Sequence, residues 1–255
     1  MVESKFPSLG VVSTLLLVTI FILTNCSKNN MKNEYSNFLD SSDLQPMPGN
    51  NTLSILPPEL HYLARKKKFD LDPNVLIGDN IEEIKEILLD IKLSDQSRRD
   101  SLHKAVGMYG SYNAAGVTPY IKLMGSNDSV NQIILTRIFK KYQWPSSQTF
   151  GEHASEAAFL VLIHADLNFQ MEHIQLLETA VKQRQASPLS YAIMIDRILK
   201  RQGKKQMYGT HGFLEPMSNK IVLLPIENEN NVDKRRADLG LPKLEVGKCD
   251  ILVSN

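Results

Sequence analysis

The chain runs to 255 residues, 42% hydrophobic and 22% charged, with a formal net charge of +1. That composition is globular, with room for one sizeable domain plus extensions or for two small domains. The near-neutral balance, with no stripe of interleaved basic and aromatic residues, argues against a nucleic-acid-binding protein.

The N-terminus stands apart. Leu9 to Leu23, LGVVSTLLLVTIFIL, is fifteen residues without a charge. As a helix it covers roughly 22 Å, short of the ~30 Å hydrocarbon core, so it fits the apolar region of an export signal better than a membrane span. Leu23-Thr24-Asn25-Cys26 resembles the lipobox of bacterial lipoproteins, with Asn25 where a small residue is usual and Lys5 offset by Glu3. The resemblance implies that Cys26 carries the lipid and that the mature chain begins there. An uncleaved N-terminal anchor is the alternative, and either one places the remainder outside the cytoplasm, in the cell envelope. With Cys26 acylated, only Cys249 remains, and no intrachain disulfide can form.

Residues 27–75, rich in Asn, Ser, Pro and charge, read as a tether, with one short element around Pro57 to Arg65. The run Arg65 to Lys68 is either solvated linker or a contact with anionic headgroups. From Ile81 the pattern turns helical, with Ile81, Ile84, Ile87, Leu88 and Ile91 on one face. Residues 101–126 carry no clear period. Asn127 to Tyr142 is helical again, through Ile133, Ile134, Ile138 and Tyr142, and Trp144-Pro145 stops it. Ala154 to His164 is apolar nearly all round, as a central buried helix requires. Asn168 to Lys182 is amphipathic through Met171, Ile174, Leu177 and Val181. Ser187-Pro188 opens the next helix, Tyr191, Ile195, Ile198 and Leu199 form its expected core face, and Gly203 ends it.

After Gly203 the period changes. KQMYGTH and KIVLLPI flank EPMSN and predict a hairpin, and a last short helix runs from an Asn230 or Asn231 cap to Gly240. The expected fold is mainly α: a compact helical domain over residues 76–245 with a small C-terminal β-hairpin. A signal peptide (1–26) and the tether (27–75) precede it, and a tail (246–255) follows.

His164 and Asp166 end the apolar run LVLIHAD. On one helix they point about 200° apart, so they cannot face each other as an orienting pair. His164 in a last turn suits the helix dipole, while Asp166 fits as a cap of the next helix or as the partner of a cation, with Arg197 as one choice. His153 is roughly 16 Å from His164 along one helix, too far to share a metal ion. No HExxH, CxxC, phosphate loop, Rossmann fingerprint or G-x-S-x-G elbow occurs, so neither metal nor cofactor is expected. The glycine of Tyr208-Gly209-Thr210 permits a sharp turn or close approach to a ligand.

Taken in order, Trp144-Pro145, Gly151, His164-Ala165-Asp166, Gln170, Asp196-Arg197, Gln206, Tyr208-Gly209-Thr210, Pro225-Ile226, Asp233, Arg235-Arg236 and Leu239-Gly240-Leu241 resemble the bacterial domain-of-unknown-function family numbered 6624. Asp95-Gln96 with Arg99, and Asn131, are similar to its N-terminal part. The family has no established activity. The resemblance implies that His164, Asp166, Asp196, Arg197, Gln206, Tyr208 and Thr210 converge, with Gln170 and Gly209 beside them. Gln143, Ile163 and His211 stand where the family often has glycine, glutamine and glutamine.

Two functions fit these residues. One is a lipid-anchored envelope module that binds a ligand or partner through Gln170, Gln206, Gly209 and Thr210. The other is an envelope hydrolase with His164 as general base, Asp166 or Asp196 orienting it, and Arg197 and Tyr208 stabilising an anion.

Overall fold

A computed structural model describes residues 71–215, 220–244 and 249–251. The export signal, Cys26 and most of the tether, including Arg65 to Lys68, lie outside the described residues.

Helix α1 (Ile81–Tyr109) starts where the Asn80 side chain accepts a bond from the Glu82 amide at 3.1 Å, with Glu82 and Glu83 in the favourable first turn. It runs unbroken through Asp95 to Asp100 and Gly107, and ends at the left-handed Gly110 (φ 78°). The stretch without a clear period is therefore the end of α1, a short 3-10 turn (Ala115–Val117), and the start of α2 (Thr118–Tyr142), which Pro119 opens. That pattern is weak because this end of the α1–α2 pair is covered on one side only. Leu102, Ala105 and Val117 are buried there, while Met108, Tyr109, Tyr120 and Ile121 are exposed.

Gln143 (φ 60°) breaks the chain out of α2 before Trp144. The indole stacks on Phe139 and donates to the Ser155 hydroxyl at 2.8 Å, so the polar end of a buried ring is satisfied. A single turn, α3 (Ser147–Phe150), leads to α4 (Glu152–His164). Ala154, Ala157 and Ala158 let α4 approach closely to α1, its most extensive partner. Asp166 accepts a bond from the Phe169 amide at 2.9 Å and caps α5 (Leu167–Lys182). Ser187 caps α6 (Pro188–Arg201) in the same way.

The core gathers Ile84, Leu88 and Ile91 of α1, Ile134, Leu135 and Ile138 of α2, Leu162 of α4, Leu177 of α5 and Met194 of α6. The buried face of α6 differs from the expected one. Ala192, Ile193, Met194, Asp196 and Ile198 are buried, while Tyr191, Ile195 and Leu199 are partly exposed. A buried aspartate inside the apolar stripe rotates the face away from the hydrophobic pattern.

The fold is mainly α with a small sheet near the C-terminus. β1 (Gly212–Glu215) and β2 (Lys220–Leu223) form the antiparallel hairpin, starting later than the sequence suggests. Residues 206–211 are not a strand, apart from an isolated Gln206–Ile226 bridge, because their amides bond to a side chain instead of a ladder. β3 (Cys249–Ile251), within the segment expected as a tail, adds to β2 in parallel. Between β2 and β3 lie a 3-10 turn (Glu229–Asn231) and α7 (Val232–Asp238), and Asn231 makes no side-chain capping bond.

Candidate functional site

The core stripe of α1 steps through Ile84, Leu88 and Ile91 and reaches Asp95, then Arg99 one turn later. Asp95 is 1% exposed. One of its oxygens lies 3.0 Å from His164 Nδ1, at the last turn of α4, and 3.1 Å from an Arg99 terminal nitrogen. Arg99 also donates to Asp128 of α2 at 2.8 Å, and Gln96 donates to the second Asp95 oxygen at 2.7 Å. One arginine thus ties three helices through two carboxylates and a histidine.

Burial pushes Asp95 upward, but His164 and Arg99 outweigh it and hold the carboxyl below its ordinary pKa. Burial lowers His164, with Asp95 opposing and Arg99 and Arg197 adding to the effect. Arg99 Nε also approaches Nδ1, at 2.9 Å, and Asp95 at 3.3 Å. Nδ1 thus lies between the Arg99 Nε–H, which points at it from 2.9 Å, and the Asp95 carboxylate at 3.0 Å. His164 Nε2 has no hydrogen-bond partner among the described residues.

A second arrangement surrounds Asp196 of α6. Its carboxylate accepts from the amides of Met207, Tyr208 and Thr210 at 2.6, 3.0 and 3.0 Å, and from the Thr210 hydroxyl at 2.8 Å. Burial pushes this carboxyl up, opposed by those four bonds. The carbonyls of the same loop meet cations: Arg235 donates to Met207 O at 2.8 Å and Arg236 to Tyr208 O at 2.8 Å. Gly209 sits at φ 68°, and a Cβ there would lie 2.6 Å from a Leu244 methyl, so the turn needs glycine twice over. Gln206 completes the loop, accepting from the His211 amide and donating to the His211 and Leu224 carbonyls.

The Thr210 hydroxyl gives its proton to Asp196 and therefore accepts from His211 Nδ1, 2.9 Å away. His211 Nε2 is thus an unprotonated acceptor, without a partner among the described residues. Burial drives this histidine down to about 3, with Lys200 and Arg197 contributing.

Arg197 lies within electrostatic reach of both histidines. One turn further along α6, Arg201 donates to the carbonyl of Ala165, the residue after His164, at 2.7 Å. This fixes the α6 face carrying Arg197 against the end of α4. The Arg197 Nε is buried with no hydrogen-bond partner, and its guanidinium forms no ion pair among the described residues. Burial, Arg201 and Arg99 lower its pKa to about 10. Asn131 Nδ2 is also buried and unpartnered, while Asn131 Oδ1 faces the Ser94 hydroxyl at 3.5 Å.

The structure sorts the sequence-selected residues by what each one touches. His164 and Arg197 lie in this polar cluster. Asp196, Gln206, Gly209 and Thr210 build the loop beside it. Asp166 caps α5 and acts electrostatically on Arg201, not on Arg197. Gln170 is fully buried and donates to the Leu162 and Ile163 carbonyls, closing the end of α4. The Tyr208 phenol, pushed up first by burial, shares its surroundings with Glu178, Tyr191 and Arg235 and forms no hydrogen bond to His164. Asp95 occupies the place beside His164 that was expected of Asp166 or Asp196. Sequence reasoning gave no role to Asp128 and marked His211 only as standing where the family often has glutamine. For Asp95 the usable signal is the apolar stripe itself, which continues in register onto a charge; for His211 it is that departure from the family pattern.

His153 is exposed and joins Lys92 and Glu156 in a separate contact between α1 and α4. Among the described residues, no group of three His, Cys, Asp or Glu side chains is placed to hold a metal ion. No described helix is long and apolar enough to cross a membrane.

A family model described as a family of unknown function (DUF6624) matches residues 83–250. The match spans more than half of the chain, and the protein belongs to that family. No curated protein and no solved structure matches it.

Proposed function

We propose that this DUF6624 domain is a lipid-anchored cell-envelope module that binds a small polar ligand, or the polar end of a partner, beside His164 and Arg197. Acylation at Cys26 would hold it to the membrane, with residues 27–75 as tether. The observation that carries the binding reading is Arg197: a largely buried guanidinium with an unpartnered Nε, beside the hydrogen-bonded networks of Asp95 and Asp196. A buried donor left without a partner costs about 1–3 kcal/mol, more for a charged group, and a ligand that fills it recovers that energy.

The test is thermal denaturation of the full-length chain in detergent against a panel of sugars, amino acids, carboxylates and phosphates. One class is expected to raise the melting temperature of the wild type but not of Arg197→Met. A panel with no effect on the wild type would sink the binding reading.

The hydrolase reading rests on the Asp95–His164 pair and requires the tautomer in which Nδ1–H donates to Asp95, leaving Nε2 as general base. Asp95 there takes the orienting role, and Arg197 stabilises the developing anion. Turnover of an ester or phosphoester by the wild type, abolished in His164→Ala, would favour it over simple binding.

A further inference from the structure

We propose that the ligand is an oxyanion that also carries a hydroxyl, a hydrogen-phosphate group, with its anionic oxygens on Arg197 and its hydroxyl on an unprotonated histidine nitrogen. This rests on the binding reading above and names the ligand class of that same site.

Charge sets the first requirement. Arg197 Nε is buried and unpartnered, and no carboxylate forms an ion pair with its guanidinium among the described residues. Lys200 and Arg201 follow on the same helix. Arg201 is held in place by the Ala165 carbonyl, which keeps its charge near Arg197 without neutralising it. A planar fork of donors flanked by cations matches a multiply charged tetrahedral anion, held by paired N–H bonds.

His211 sets the second requirement. It spends its Nδ1 proton on Thr210, which passes the link to Asp196. It then presents Nε2 as an acceptor, and a carboxylate or sulfate at neutral pH has no proton to give it. Hydrogen phosphate has both parts: charge for the guanidinium and a P–OH for the imidazole. Phosphate diesters lack the hydroxyl, and monoesters, with a second pKa of about 6, carry it only as the minor monoanion, so free phosphate fits directly and a monoester through that monoanion.

The experiment is calorimetric titration of the full-length chain in detergent with inorganic phosphate, glycerol phosphate, sulfate, acetate and lactate at neutral pH. Inorganic phosphate is expected to bind with one-to-one stoichiometry, and sulfate and acetate about tenfold or more weaker. Glycerol phosphate binding more tightly than phosphate identifies a monoester as the source; tighter phosphate identifies the free ion. Arg197→Met is expected to weaken phosphate by about tenfold or more, with Arg197→Lys between the two. Should Arg197→Met fail to fold, the ranking of anions on the wild type decides. Sulfate or acetate equal to phosphate, or lactate above it, would overturn the inference. So would no phosphate binding while another class stabilises the protein, an outcome that leaves the binding reading standing.

Discussion

Asp196 and Arg197 are neighbours on one helix and have opposite fates. Asp196 is fully buried and meets four donors from the loop it organises. Arg197 is largely buried too, yet its Nε meets nothing. A charge whose every lone pair is taken belongs to the architecture. A charge brought inside and left without a partner lowers stability, and proteins keep such groups where they serve function. The same split separates the loop, clamped between one carboxylate and two arginines, from the face that the loop and α4 present to Arg197.

Three substitutions break or sharpen this contrast. Asp196→Ala strips the acceptor from three amides and a hydroxyl, and should lower the unfolding free energy by about 3–5 kcal/mol in urea denaturation. A loss under about 1 kcal/mol would mean that water replaces the carboxylate and that the loop stands without it. Gly209→Ala acts on the same loop through its backbone, adding left-handed strain and a clash with Leu244 and Ile226. It should cost about 2–3 kcal/mol. Unchanged stability would show that the turn yields. The third, at Arg197, should have the smallest effect and the opposite sign.

Much of the architecture was legible because apolar residues repeat at helical spacing and caps are local. Ile84, Leu88 and Ile91 announced α1, and Ser187-Pro188 announced α6 before any contact was known. The 206–211 segment was harder: its alternation suggested a strand, but its amides answer to an aspartate ten residues and more upstream. β3 was hidden because a three-residue strand added in parallel has no turn signal of its own. The site was legible only in pieces. His164, Asp196 and Arg197 could be chosen from the motif pattern, but adjacency in sequence says nothing of which charge is satisfied. Asp95 meets His164 across 69 positions, a pairing set by how α1 packs on α4.

Equilibrium urea unfolding of the full-length chain in detergent, wild type against Arg197→Met, with no added ligand, tests the central claim most directly. The account predicts stability that is unchanged or raised by about 1 kcal/mol, because Met keeps the buried stem and removes the unpaired charge. A loss of about 2 kcal/mol or more would contradict it, making Arg197 a structural tie and removing the basis for a ligand at this place.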